Sequence, residues 1–305
     1  MKWEKKGLIF KAENQSDWWK SHTQSPIAMP LDDNRIRIYV GAFDQFGTTR
    51  IGCVDVSIQD PKKILRVSEK PILDLGRPGT FDEDGVFPAS VYRQGTKTYL
   101  YYTGFQKEHS VRYTMFGGLA ISEDQGNTFK RVSEVPITDR SDEGLYFRGG
   151  PSVLNENNKF KVYYSAGSEW VEVNDRMRPC YNIYQTESLD GIEISRQGTL
   201  ILEYDKNREH GLGRPQIIKI GDTYQLFFCV RTLDMCYKMG CAQSKDGISW
   251  QRCDEKLGIY HAKEGWDSSM VYFPSVTKAG NKYFIFYCGN DYGRDGLGYA
   301  ELIEE

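Results

Sequence analysis

Pro26, Pro88, Pro151, Pro215 and Pro274 recur through the 305-residue chain at spacings of 62, 63, 64 and 59 residues. Each opens a short strand-like run: "SPIAMP", "FPASVY", "GPSVLN", "RPQIIK" and "FPSVTK". Proline has a fixed φ and no amide hydrogen, so it suits the first residue of a strand. The segment after each proline repeats too. A turn ("LDDN", "RQGTK", "NENNK", "KIGD", "KAGNK") leads into an aromatic-rich strand ("RIRIYVGAF", "TYLYYTGF", "FKVYYSAGSEW", "TYQLFFCVR", "KYFIFYCGN"). A third strand comes next ("IGCVDVS", "GGLAIS", "YNIYQTES", "MGCAQS", "GLGYAEL"). Three of these run into the turns "SEDQGNTF", "SLDGIEI" and "SKDGISW". Asp there supplies a side-chain bond, and Gly the positive φ that a tight hairpin needs.

Four short antiparallel strands per period, with almost no helical periodicity, read as the blades of a β-propeller. The expected fold is all-β: one five-bladed domain over 1–305, with blades near 22–70, 84–135, 147–203, 211–260 and 270–302. The last blade lacks a fourth strand before the chain ends. The N-terminal "KWEKKGLIF" resembles the fourth strands in "SWQRCDEKLGIY" and "TFKRVSEVPI". Residues 2–10 are therefore expected to complete the last blade and close the ring, removing an exposed edge.

Composition narrows the function classes. Hydrophobic residues make up 39% of the chain, enough for a sizeable core, and the 13% aromatic share leans towards strands and sugar-facing surfaces. A formal charge of -3 argues against a nucleic-acid partner, which needs a basic face. The seven cysteines form no CxxC pair and no Cys/His cluster with zinc spacing, so they read as buried thiols in a reducing compartment. The start "MKWEKKGLIFKAENQ" has no apolar core of signal-peptide length, and no apolar run is long enough to span a membrane. The expectation is a cytoplasmic protein without cofactor or metal; the oligomeric state stays open.

Strand direction alternates within a blade, so the start of strand one and the end of strand two share a face. Before the prolines stand His22 and Gln24, Asp84, Arg148, Arg214, and Asp267 with Tyr272. Ending the second strands stand Glu169 with Trp170, Arg231, and Asn290 with Asp291. One arginine at a strand mouth is ordinarily a structural ion-pair partner. Three arginines and several acids converging from different blades point to a binding funnel.

The stretches "DEDGVFPASV", "YYSAGSEW", "GRPQIIK", "SKDGISWQR", "GWDSSMVYFPSV" and "YCGNDYGRDGLGYAEL" give nearly the whole chain a resemblance to five-bladed propeller glycoside hydrolases of the arabinanase, invertase and mannoside-phosphorylase kind. The likeness extends to glycosidase-like proteins that accompany bacterial surface-polysaccharide synthesis. It implies a carbohydrate substrate, but the acids of the arabinanase pattern are absent from their places. Those places hold Ser25-Pro26, Pro88-Ala89-Ser90 and Gly149-Gly150-Pro151, and no Asn-Asp-Pro motif occurs in blade one.

Glycosyl transfer needs an acid for the leaving oxygen and a base or nucleophile opposite it. The expected catalytic candidates are the displaced carboxylates Asp84, Asp267 and Glu169, against the competing readings of turn carboxylate, loop cap and sugar-hydroxyl ligand. His22, Gln24, Arg148, Arg214, Arg231, Trp170, Tyr272, Asn290 and Asp291 are the expected substrate-binding residues. Forked guanidinium contacts favour an anionic or phosphorylated sugar, or a nucleotide sugar, over a neutral glycan. The glycine-rich "GNDYGRDGLG" joins the second and third strands of the last blade and reads as a funnel loop rather than a phosphate cradle. Two rivals stand beside glycosidic-bond cleavage: a glycosyltransferase of surface-polysaccharide assembly, and a non-catalytic sugar-binding propeller.

Overall fold

The computed structural model describes residues 1–157 and 159–304; Asn158, in the turn expected at "NENNK", and Glu305 lie outside the described residues. Nearly all its regular elements are strands. In order these are β1 (Lys2–Phe10), β2 (Ser21–Pro30), β3 (Arg35–Phe43), β4 (Thr49–Ser57), β5 (Ile64–Val67), β6 (Gly85–Gln94), β7 (Lys97–Lys107), β8 (Tyr113–Ser122) and β9 (Lys130–Arg131). Next come β10 (Phe147–Glu156), β11 (Lys159–Val173), β12 (Arg176–Ser188), β13 (Thr199–Leu202), β14 (Glu209–Ile220), β15 (Thr223–Thr232), β16 (Lys238–Ser244) and β17 (Gln251–Arg252). The last are β18 (Tyr272–Ala279), β19 (Lys282–Cys288) and β20 (Leu297–Glu304).

Pairing groups consecutive strands into antiparallel sets of four: β2–β5, β6–β9, β10–β13 and β14–β17. The final set is β18, β19 and β20 with β1 as its outer strand, Lys2 lying opposite Glu304 and Phe10 opposite Leu297. Short parallel contacts such as Thr49 with Gly85 join the first four sets into one ladder. The set containing β1 is a separate sheet, and the backbone ladders form no closed sheet.

The repeated prolines sit where each first strand slips register. Ladder shifts fall between Gln24 and Ile27, Pro88 and Ser90, Gly149 and Ser152, Gly213 and Gln216, and Tyr272 and Ser275. A residue without an N–H is tolerated at such a bulge. Just before the proline, Ser25, Gly150, Arg214 and Phe273 take left-handed φ of 53°, 64°, 44° and 57°. A Cβ on Gly150 would lie a tight 3.2 Å from the Arg214 Cα.

Side-chain hydrogen bonds then link the first strands to one another. Ser25 donates to the Pro88 carbonyl (2.8 Å) and Ser90 to the Pro151 carbonyl (2.7 Å). Ile217 N–H donates to Ser152 Oγ (3.2 Å), and Val276 N–H to Gln216 Oε1 (2.5 Å). Ala28 N–H donates to Ser275 Oγ (2.9 Å), joining β2 to β18.

At the other end of the strands, Ser122, Ser188 and Ser244 each accept the glycine N–H of their Asp/Gly turn. Tyr101 of β7 donates to the Gly191 carbonyl of the next set's turn at 3.0 Å. Tyr39 and Tyr163 make the same reach to Gly126 and Gly247. The core lies between neighbouring sets, in aromatic and β-branched clusters such as Ile36, Ile38, Val40, Phe284 and Phe286. Six cysteines are buried and Cys236 is exposed. Among the described residues no helix is long and apolar enough to cross a membrane.

Candidate functional site

The five residues immediately preceding the repeated prolines, Ser25, Phe87, Gly150, Arg214 and Phe273, all line one cavity of about 470 Å³. That volume is in the range of ligand pockets, ~300–1,000 Å³. The ends of second strands add Phe43, Phe105, Lys107 and Arg231. The starts of third strands add Thr49, Tyr113, Met115, Arg178 and Tyr181, with Arg112 just before β8. The lining is strongly aromatic.

Seven of the residues expected from the sequence face this cavity: His22, Gln24, Asp84, Arg214, Arg231, Tyr272 and Asp291. Arg214 is buried and forms no ion pair among the described residues. Its Nη1 and Nη2 donate to the carbonyls of Pro26 (2.9 Å) and Pro274 (2.6 Å). Burial holds its pKa below the usual arginine value. Arg231 donates from Nε to Tyr272 Oη at 2.9 Å and lies over the rings of Tyr181 and Tyr237. Asp84 accepts the Lys107 N–H at 2.8 Å, with Lys107 Nζ 3.8 Å away. His22 stacks on Phe43, its Nδ1 lies 2.8 Å from Ser21 Oγ, and burial lowers its pKa. Asp291 pairs with Arg294 at 3.5 Å, in the short Asn290–Gly293 turn that "GNDYGRDGLG" forms.

The other five expected residues do not line the cavity. Arg148 is 1% exposed and points elsewhere, over the Tyr164 ring, donating to the carbonyls of Asp139 and Ser195 and lying 3.8 Å from Glu143. Glu169 stands exposed on the outer part of β11. Trp170 packs edge-on behind the lining residues Tyr113 and Phe147. Asn290 is a loop clamp, accepting the N–H groups of Ser269 and Met270 and donating to Gly265.

Asp267 lies off the lining, in a contact that recurs through the repeat. In the second set, Arg131 of β9 lies opposite Ala120 and reaches Asp82 at 2.7 Å. In the fourth, Arg252 of β17 lies opposite Ala242 and reaches Glu209 at 2.6 Å. In the last, Lys5 of β1 lies opposite Ala300 and reaches Asp267 at 2.5 Å. Asp82 and Asp267 also accept from Tyr102 and Tyr287 of the second strands, each at 3.0 Å. Phe81 and Trp266 stack on those tyrosines. Asp267 is thus an architectural acid tied to a fourth-strand cation. Asp267→Asn is expected to lower stability by about 1–3 kcal/mol, the cost of leaving buried polar groups poorly partnered. Urea denaturation measures it, and an unchanged midpoint contradicts the assignment.

Behind the cavity, His210 Nδ1 lies 3.0 Å from the Pro179 carbonyl and Nε2 lies 2.9 Å from Tyr237 Oη. The carbonyl requires the proton on Nδ1, so Nε2 accepts from Tyr237. Burial, aided by the nearby Arg231 charge, lowers the His210 pKa to about 4. Unfolded histidine titrates near ~6.5, so the unfolded chain binds the proton more readily. The stability this contributes is full above about pH 6.5 and is lost as pH falls towards 4, by ~3 kcal/mol. His210→Gln is expected to flatten that part of the stability profile, with His22 keeping a smaller share of the slope. An unaltered profile in the variant contradicts this.

Sequence reasoning missed Arg112, Tyr113, Arg178 and Tyr181. The signal was present: if strand two ends at the cavity, strand three must begin there. Lys107, Arg112, Arg178, Arg214 and Arg231 face the cavity against two carboxylates, Asp84 and Asp291. None of the four arginines forms an ion pair among the described residues; Arg112, Arg214 and Arg231 are held by carbonyls, a phenol and aromatic faces. Buried Gln24 Oε1 and Arg178 Nε have no hydrogen-bond partner among the described residues. Among the described residues no cluster of three His, Cys, Asp or Glu could hold a metal ion.

No family model matches the sequence. The chain is 30% identical over 302 residues, covering 99% of both chains, to the uncharacterized protein Rv1502 of Mycobacterium tuberculosis. A β-1,2-mannobiose phosphorylase of a Thermoanaerobacter species is 24% identical over 121 residues, 36% of this chain and 40% of its own. Among solved structures, a glycoside hydrolase superposes with a TM-score of 0.73 at 16% identity, covering 99% of this chain and 92% of its own. A thermostable family-43 glycoside hydrolase gives 0.69 at 17% identity, covering 93% and 90%. The chain belongs to the family of the mycobacterial protein Rv1502, and its fold is the glycosidase-like β-propeller.

Proposed function

We propose that the chain is a single five-bladed propeller, closed by β1, whose cavity takes an anionic or phosphorylated carbohydrate and makes or breaks a glycosidic bond there. Closure is supported by the circuit of side-chain bonds through the first strands and by β1 standing to β20 as β9 stands to β8. The observation that carries the substrate class is the set of four arginines with no carboxylate partner on one aromatic cavity. Aromatic faces suit the apolar faces of sugar rings, and forked guanidinium groups suit carboxylate or phosphate. The names of the structural neighbours and of the phosphorylase support a carbohydrate substrate.

Asp84 is the proposed acid or base, because it lines the cavity with its side chain partly open to solvent. Asp291 is the one other carboxylate on the lining, so it or an anionic co-substrate held by the arginines stands opposite. A second reading, a sugar-binding propeller without turnover, is favoured by one fact: both carboxylates are already ion-paired.

A screen of acidic glycans, sugar phosphates and nucleotide sugars, read by mass spectrometry, decides between them. Asp84→Asn is nearly isosteric and is expected to keep binding while turnover falls about 10²–10⁴-fold. Undiminished turnover removes Asp84 from the chemistry, and binding without any turnover by the wild type selects the second reading.

A further inference from the structure

The β11–β12 hairpin differs from its counterparts. Its strands run for 15 and 13 residues, where the other second and third strands have 7 to 11. Beyond a bulge between Ala166 and Glu169, the ladder continues from Glu169 opposite Cys180 to Val173 opposite Arg176. Asn174 and Asp175 turn it with left-handed φ of 51° and 58°, the backbone a two-residue hairpin loop requires. The extension is anchored on both sides. Trp170 packs on Tyr113 and Phe147, and His210 holds the Pro179 carbonyl.

This anchored arm brings Arg178 to the cavity lining, with a buried Nε that has no partner. Arg112, from the neighbouring set, donates to the Met177 carbonyl of the same arm at 3.1 Å and lies 5.7 Å over Tyr113. Arg112 and Arg178 thus both reach the cavity beside this arm, and neither forms an ion pair among the described residues, so an anion bound there would gain from both charges. From Arg112 an aromatic track leads inward. The Tyr113 and Phe147 rings are 5.8 Å apart, Phe147 and Tyr181 a further 5.8 Å, and Arg231 lies 5.2 Å over Tyr181. All three rings line the cavity. Cations therefore stand at both ends of an aromatic track, Arg112 beside the arm and Arg231 on β15.

We propose that Arg112 and Arg178 form a second anion subsite at the arm, so that the cavity takes a glycan with negative charge on more than one sugar unit. This rests on the reading of the cavity as an anionic-carbohydrate site and specifies the substrate class within it.

The test is calorimetric titration of wild type, Arg178→Gln, Arg112→Gln and Arg231→Gln with uronic-acid and phosphorylated mono-, di- and trisaccharides. Melting curves confirm that each variant is folded. The expected result is affinity that rises with the number of charged units, with Arg178→Gln and Arg112→Gln losing about tenfold or more on the longer ligands. Their loss on the charged monosaccharide is expected to be much smaller. Length-independent affinity, with loss in Arg231→Gln alone, overturns the second subsite and leaves the cavity reading standing. Absence of binding by every acidic probe overturns both.

Discussion

A chain lacking residues 1–10 is expected to lose most of its stability and to self-associate. β1 buries Trp3 against Phe227, with ring centroids 6.3 Å apart, and Phe10 against Trp19 at 5.6 Å, with Ile9 also buried. Trp3 belongs to a core cluster with Met239 and Ile285, and Ile9 and Phe10 to one with Ile36 and Phe284. One strand thus serves two cores. Burying such side chains contributes about 1.5–3 kcal/mol each, and a native domain holds only about 5–15 kcal/mol in total. Deletion also frees the edge of β20 and removes the Lys5 partner of Asp267. Thermal melting with gel filtration measures the effect. A truncated monomer that melts with the full chain contradicts the role given to β1.

Arg231→Gln is expected to weaken binding of an acidic sugar by about 10–100-fold, from the ~1.5–3 kcal/mol of a charged hydrogen bond, without unfolding the protein. Arg231 has an aromatic and phenolic setting rather than a carboxylate partner, so its removal strands no opposite charge. Arg148→Gln is the instructive contrast. That side chain is buried against carbonyls, Tyr164 and Glu143, away from the cavity, so its loss costs stability and leaves the ligand contacts in place. Calorimetry and melting on both variants separate the two roles. Equal effects of both variants on affinity contradict the division.

The strand plan was legible because its signals are local: a proline, a turn, an aromatic strand and, in three of the repeats, a Ser-x-Asp turn. Arg214 was legible as a cavity residue because it directly precedes its proline, and that position lines the cavity in every repeat. Arg148 stands three residues before Pro151, and Gly150 takes the place equivalent to Arg214. Two residues along a regular strand would return a side chain to the same face, but the left-handed Gly150 and the register slip between Gly149 and Ser152 break that alternation. Asp84 and Asp267 look alike in sequence, each a few residues before its proline. What separates them is a long-range partner: Lys5, at the far end of the chain, claims Asp267. The cations of the long hairpin lay beyond local reading too, since their importance depends on a strand extension that only the register between β11 and β12 defines.

The most direct test of the anionic-carbohydrate cavity is calorimetric titration of the wild-type protein with matched pairs of oligosaccharides, uronic-acid or phosphorylated against the neutral sugar of the same linkage. Binding of the charged member of at least one pair is expected, weakened by added salt and by Arg231→Gln, with much weaker binding of its neutral partner. Neutral members that bind as tightly as charged ones, with no dependence on salt or on Arg231, would contradict it.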